Sequence, residues 1–308
     1  MISLRAAILR ELIRLYTYPY RKRHMSLSRS VKLKGVGFTP PRGLAVRTEA
    51  FGGVRTEVTY DPSSENKGGN IIHFHGGGHT AAMNNMYRKV ACIYVKMCNC
   101  TVYSIDYTAG EGLVYPAVHE QCFAAYRAIA KALDGKSFMT AGDSFGANLM
   151  LYSILKAQGG GLPLPRGAVC VSPYADMAAS GESYRTNCKS DPMYSLTRGQ
   201  KFEDYEQKLR RISPYCGNTP LTDPYLSPAY ANFCGLPEIL IVGGGYETSA
   251  SDCEMLCARA AEAGTGAQYI KCEGMWHDFL YMFPKLKESR EAWSEIKKFI
   301  CGILKSDT

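Results

Sequence analysis

Hydrophobic residues along this chain fall into two recurring patterns. Short, nearly continuous apolar runs occupy 54–60, 70–75, 101–106, 136–141, 167–172, 238–243 and 267–272. Between them, apolar residues recur at three- and four-residue spacing over 83–97, 117–133, 146–157, 251–263 and 287–304. The first pattern predicts strands and the second amphipathic helices. Their alternation predicts an α/β protein with a mostly parallel central sheet flanked by helices. The rhythm breaks over 175–235, where Pro, Gly, Tyr and charged residues surround one helical stretch at 197–211. That interval reads as an insertion. With residues 1–45 it is expected to form a helical cap over the carboxyl edge of the sheet, leaving 46–174 and 236–308 as the core.

The N-terminal segment carries a helical pattern of its own. Ile2, Leu9, Leu12, Ile13 and Tyr16 project on one side, with Arg10 and Arg14 opposite. The expectation is an amphipathic helix covering the protein's own apolar surface, and the less favoured alternative is a helix lying on a membrane. Arg5, Arg10, Glu11 and Arg14 interrupt the stretch and no small-residue cleavage site follows, so it does not read as a signal peptide.

Composition changes the picture at two points. The formal charge of +8 lies wholly in residues 1–34, where nine basic residues face Glu11 alone. The rest of the chain balances to zero, which argues against a nucleic-acid partner for the body of the fold. The 12 cysteines include no C-x-x-C pair, and Cys98-x-Cys100 and Cys253-x-x-x-Cys257 lack a second ligand pair, so no metal site is expected. A chain of 308 residues needs no disulfide staples, and reduced thiols of a cytoplasmic protein are the expectation.

The chemistry starts at Gly142-Asp143-Ser144-Phe145-Gly146. It fits the G-x-S-x-G pattern, a serine on a tight turn from strand to helix with its hydroxyl exposed. A predicted strand precedes it, and an apolar helical pattern follows until Gly159-Gly160-Gly161. Strand 70–75 runs into His75-Gly76-Gly77-Gly78, with His79 next. Acyl transfer through a serine builds negative charge on a carbonyl oxygen, which needs preorganised donors. Successive glycines let backbone amides curl towards that oxygen, so Gly77, Gly78 and Phe145 are the candidate donors. His73 and His75 form an H-x-H pair with no third ligand cluster, and His75 is expected to hydrogen-bond the glycine loop.

A serine of this kind needs a base. His277, within Glu273-Gly274-Met275-Trp276-His277-Asp278-Phe279, is the sole histidine after the serine. Strand 238–243 precedes the acid, for which Glu247 is the choice and Asp252 the reserve. Asp252 is better suited to cap the helix that follows. His79 and Trp276 are candidates to line the pocket. The chain order Ser144, Glu247, His277 is that of the fold in which the serine elbow is known.

Five ordered segments make a resemblance specific. They are His75-Gly76-Gly77-Gly78; Asp106-Tyr107 with Tyr115-Pro116-Ala117; Gly142 to Asn148; Ser172-Pro173 with Ser180-Gly181-Glu182-Ser183-Tyr184; and Glu273 to Phe279. The chain resembles α/β-hydrolases of the hormone-sensitive-lipase-like carboxylesterase family over residues 45–300. The resemblance implies a cap, no cofactor or metal, a small-molecule ester as partner and hydrolysis of short-acyl esters by the serine, with Asp143 and Gly76 as motif support. A homodimer is admissible. Three departures stand out: Phe145 replaces the usual small residue after the serine, Glu247 the usual aspartate, and Thr108-Ala109-Gly110-Glu111-Gly112 the usual loop. Deacylation of acetylated sugars or amides on the same residues is one alternative. A non-catalytic small-ligand receptor on the same scaffold, as in the plant gibberellin receptors, is another, and the intact His277 argues against it.

Overall fold

Eight strands form one sheet in the order β1-β2-β4-β3-β5-β6-β7-β8. The computed structural model describes residues 2–22, 37–64, 69–203 and 214–305. The strands are β1 (Ala45–Phe51), β2 (Val54–Tyr60), β3 (Asn70–Phe74), β4 (Thr101–Ile105), β5 (Phe138–Asp143), β6 (Gly167–Val171), β7 (Glu238–Gly244) and β8 (Ala267–Cys272). The first two strands pair antiparallel, and β3 to β8 run parallel. Strands β3, β5 and β6 are buried along their whole length, which is why they read as unbroken apolar runs.

Alternate side chains feed two separate cores. Ile72, Phe74, Ala168, Cys170, Ile239 and Ile241 pack on one face of the sheet. Ile71, Val169, Val171, Leu240 and Val242 pack on the other. Among the described residues the helices of eight or more residues are, in chain order, α1 (Leu4–Lys22), α2 (Asn85–Cys98), α3 (Ala117–Ala132), α4 (Phe145–Gly159), α5 (Ala250–Glu262) and α6 (Lys287–Lys305). Helices α3, α4 and α5 cover the first face, contributing Val118, Leu149 and Leu256. Helices α2 and α6 cover the second through Tyr94, Trp293 and Ile296.

Two expectations need correction. Strand β1 was not anticipated, because its pattern Ala-Val-Arg-Thr-Glu-Ala-Phe mixes charge and apolar residues on an edge that is nowhere fully buried. The available signal was Gly52-Gly53, both at positive φ, which close a two-residue hairpin to β2. The strand expected at 136–141 begins two residues later. Asp134 and Gly135 take left-handed backbone, and the Lys136 amide bonds back to the Leu133 carbonyl at 3.0 Å. The helix expected at 197–211 lies mostly outside the described residues; a turn closed by Gln200 N–H to Thr197 O at 3.0 Å leads into helical backbone at 202–203.

The N-terminal helix is rotated from its expected orientation. Ile2, Leu9 and Ile13 do pack on the second core. Leu12 and Tyr16, however, are 55% and 59% exposed. The supposed outer arginines instead face the protein. Arg14 donates to the carbonyls of Lys189 and Ser190 at 2.8 and 2.7 Å, and Arg10 lies over the Tyr246 ring at 5.1 Å. The physical reason is the surface beneath. It is a loop with carbonyls that need donors, which Arg14, Thr17 and Arg21 supply.

Candidate active site

Strand β5 delivers the chain to a turn at Ser144 with φ 50° and ψ −123°, a region that a non-glycine residue rarely occupies. Neighbouring backbone fixes it there. The Ser144 amide donates to Val171 O at 2.9 Å, and Ser144 O accepts from Tyr174 N–H at 3.1 Å. Helix α4 starts at the next residue. A Cβ on Gly142 would stand 2.8 Å from the Gly146 backbone, and one on Gly146 would collide with the carbonyls of Phe74 and His75. Glycine is therefore required where strand and helix cross beneath the serine.

The structure brings Ser144, His277 and Glu247 into one chain of hydrogen bonds. Ser144 Oγ lies 2.9 Å from His277 Nε2, and His277 Nδ1 lies 2.9 Å from Glu247 Oε2. A carboxylate only accepts, so Nδ1 carries the proton, and the neutral ring offers its Nε2 lone pair to the serine hydroxyl. Glu247 is fully buried at the end of β7. Its Oε1 accepts from Ser172 Oγ at 2.7 Å and from the Gly244 amide, and its Oε2 from Ser249 Oγ at 3.4 Å. Asn187 pins the loop by donating to the carbonyls of Gly245 and Glu247 at 3.0 and 2.8 Å.

Residues without an assigned role in the sequence reading complete this shell. Ser172, at φ 44° after β6, donates to Glu247 while accepting the Asp278 amide at 3.0 Å. Asp278 Oδ2 lies 3.4 Å from His277 Nε2. Asp191 accepts the amides of Thr248, Met193 and Tyr194. The Tyr194 ring stands edge-on to the His277 ring at 5.1 Å. Ser172 and Asp278 sat in motifs already noted, whereas Asp191 lies between β6 and β7 and carried no pattern. Burial lowers the His277 pKa, but the carboxylates of Asp278, Glu247 and Asp191 outweigh it and hold the imidazole above its ordinary 6.5. Burial pushes Asp278 up to about 7, opposed by His277.

The glycine loop is built around Asp143. Burial, then the nearby Asp278 carboxylate, push the Asp143 carboxyl well above its ordinary pKa. Its Oδ1 accepts the Gly76 amide at 2.9 Å, and a Cβ on Gly76 would press on Asp143, 2.8 Å from its carbonyl oxygen. Gly77 and Gly78 follow at φ 92° and 64°. The Tyr107 hydroxyl donates among the carbonyls of His75 and Gly78 at 3.0 and 3.1 Å. His75 Nδ1 meets Gly76 O at 2.9 Å, and its ring stacks on Tyr107 at 4.1 Å. Burial lowers the His75 pKa to about 4, so the ring stays neutral and structural. His79 stacks on Tyr215 at 4.8 Å, and Phe145 meets the same tyrosine edge-on at 5.6 Å.

Two candidates are placed elsewhere. Trp276 is fully buried in the second core against Phe283, because the 273–277 turn crosses tightly over Gly244 and turns the indole inward. Asp252 neither joins His277 nor caps its helix. Its Oδ2 accepts the amides of Ala175 and Asp176 at 2.8 and 3.0 Å, holding the chain where it leaves the sheet for the insertion. Among the described residues no three His, Cys, Asp or Glu side chains group as metal ligands, and His73 Nδ1 pairs with Ser104 Oγ at 3.1 Å.

This elbow, relay and glycine loop on a parallel sheet define a hydrolase of the α/β class. The chain belongs to the α/β-hydrolase family, whose model matches residues 71–281, and within it is hormone-sensitive-lipase-like. It is 29% identical to an acetyl-hydrolase of Streptomyces hygroscopicus, over 73% of each chain. It is 26% identical to the putative acetyl-hydrolase LipR of Mycobacterium tuberculosis, over 87% of this chain and 84% of that one. The crystal structure of EstE7, a hormone-sensitive-lipase homologue from a metagenome library, superposes with a TM-score of 0.82 at 26% identity, over 97% of this chain and 98% of that one.

Proposed function

We propose that this protein is a serine carboxylesterase acting on short-acyl esters through an acyl-enzyme. One observation carries the reading: Ser144 Oγ lies 2.9 Å from an imidazole whose other nitrogen is 2.9 Å from a buried carboxylate. Ser144 Oγ attacks the ester carbonyl while its proton passes to His277 Nε2. Glu247 keeps the ring oriented and stabilises the imidazolium. The oxyanion takes hydrogen bonds from the amides of Gly77, Gly78 and Phe145, the last a free donor as the first residue of α4. On collapse His277 returns the proton to the leaving alkoxide, releasing the alcohol. Water then repeats the cycle, giving its proton to His277 and its hydroxyl to the acyl carbon, and free acid leaves Ser144.

The preference for short acyl groups rests on the aromatic wall beside the serine. Phe145 and His79, which directly follow Ser144 and Gly78, pack on each other and on Tyr215, and such a wall suits a short acyl group. The acetyl-hydrolase relatives agree with that reading. We assign residues 1–45 and 175–235 to the cap and place the protein in a reducing cytoplasm, consistent with 12 free thiols. Deacetylation of sugars or amides uses the same groups, and a receptor would not need the complete relay. Initial rates on p-nitrophenyl esters from acetate to laurate test the proposal. It requires kcat/KM to peak at acetate or butyrate and fall steeply beyond. A maximum at long chains would overturn the acyl assignment, and no turnover at any length would favour the receptor.

A further inference from the structure

Helix α1 carries an apolar stripe that the rest of the protein leaves uncovered. Leu4, Ile8, Leu12 and Leu15 repeat at helical spacing and are 77, 55, 55 and 72% exposed. Tyr16 and Tyr18 border the stripe at 59 and 42%. Soluble surfaces rarely gather so many large apolar side chains in one contiguous patch. The opposite face is not free to turn outward. Arg14 and Thr17 bond the carbonyls of Lys189, Ser190 and Pro192, and buried Arg21 bonds Ser195 through both its carbonyl and its hydroxyl. Ser3 at the helix start is tied to Glu288 by its amide and hydroxyl at 2.5 and 3.1 Å. The orientation of the stripe is thus fixed by named contacts at both ends of the helix.

We propose that this face of α1 docks the protein on an anionic lipid surface, with the helix lying in the interface plane. Charge selects that occupant. Residues 1–34 hold the entire +8 of the chain; within α1, Arg10, Arg14 and Arg21 turn toward the protein, and exposed Arg5 and Lys22 stand at the two ends of the stripe with Glu11 as the one acid beside it. A second copy seated on the same face would bring two such segments together, and like charges repel. Anionic headgroups attract them, each basic residue near the surface adding to the binding. The tyrosines bordering the stripe suit the headgroup level, where a ring can sit half in lipid with its hydroxyl wet. No described helix is long and apolar enough to cross a membrane, which fits a helix lying on the surface.

The docked face also has a route to the candidate site. The carbonyls that α1 holds belong to the 189–195 loop, and the same loop carries Tyr194, whose ring stands 5.1 Å from that of His277. A lipid phase on the exposed face of α1 would therefore lie one helix and one hydrogen-bonded loop away from His277.

The test is co-sedimentation of the full chain with vesicles of phosphatidylcholine alone or with one third phosphatidylglycerol. Wild type is compared with the Leu12→Glu/Leu15→Glu double variant. Both side chains are exposed, so hydrolysis of p-nitrophenyl butyrate and the unfolding temperature should match wild type and certify the fold. The expected result is binding to the anionic vesicles that weakens with salt and falls about tenfold or more in the double variant. Equal binding by both proteins would overturn the assignment of this face. Absence of vesicle binding would overturn the proposal, and a wild-type dimer converted to a monomer by the double variant would give the stripe to a second copy.

Discussion

Replacing Glu247 by Gln changes one atom at the centre of the relay, and the structure dictates how the amide must sit. Ser172 Oγ accepts the Asp278 amide at 3.0 Å, so its own proton has to point at residue 247, 2.7 Å away. The Gly244 amide points at the same oxygen. The glutamine must therefore keep its carbonyl oxygen there and turn its NH2 to His277 Nδ1. Facing a donor, Nδ1 becomes the acceptor, the ring proton moves to Nε2, and Nε2 can no longer take the proton of Ser144. A wrong tautomer in an otherwise intact site costs about 10³–10⁴ in kcat, roughly 4–5 kcal/mol of barrier, with KM little changed. Asp252→Asn supplies the contrast. Its oxygen can stay on the amides of Ala175 and Asp176, and its NH2 replaces Oδ1, which has no partner. Turnover should stay within a few-fold and stability within about 1 kcal/mol. Steady-state hydrolysis of p-nitrophenyl butyrate and thermal unfolding of both variants are the assay. A Glu247→Gln enzyme within tenfold of wild type, or a thousandfold loss in Asp252→Asn, would refute the reasoning.

The Asp278 carboxylate sets the pH dependence. It is the strongest of the charges that raise the His277 pKa against the lowering effect of burial, and catalysis needs the neutral ring. Activity should therefore rise with pH through an acid limb above 6.5. Asp278→Asn should move that limb down by about a unit or more in kcat/KM against pH, and an unmoved or upward-shifted limb would count against the assignment. Gly76→Ala tests the loop: its Cβ would strike Asp143 and push Gly77 and Gly78 out of place. A kcat loss of about a hundredfold, matched by weaker binding of a boronate transition-state analogue, is expected, and unchanged boronate affinity would show that the loop does not hold the oxyanion.

The sequence made the buried parts of this protein legible. The central parallel strands β3, β5 and β6 are covered on both faces and stood out as apolar runs, and the serine elbow announced itself through glycines that sterics require at 142 and 146. Legibility ended where polar hydrogen bonding replaced burial as the organising force. Strand β1 is an edge strand with no fully buried residue, and its pattern was correspondingly mixed. Helix α1 was placed only in part, with Ile2, Leu9 and Ile13 inward as expected, because a helical projection assumes that the whole apolar side faces inward, whereas the surface beneath also offers carbonyls to arginines. Asp191 and Asn187 reach the site from the segment between β6 and β7 through backbone contacts that no local spacing encodes. Trp276 shows the converse. A residue beside His277 in sequence points into the core, because the turn that presents the histidine directs its neighbour away.

The central claim is that Ser144 is a nucleophile activated by His277. Reaction with a fluorophosphonate followed by peptide mass mapping tests it most directly, because the reagent forms its bond only with an activated hydroxyl. The account predicts one adduct, on Ser144, formed rapidly by wild type and abolished in Ser144→Ala, with His277→Ala slowing it by about 10³-fold or more. A stable adduct on another residue, or labelling of Ser144 at the same rate without His277, would contradict it.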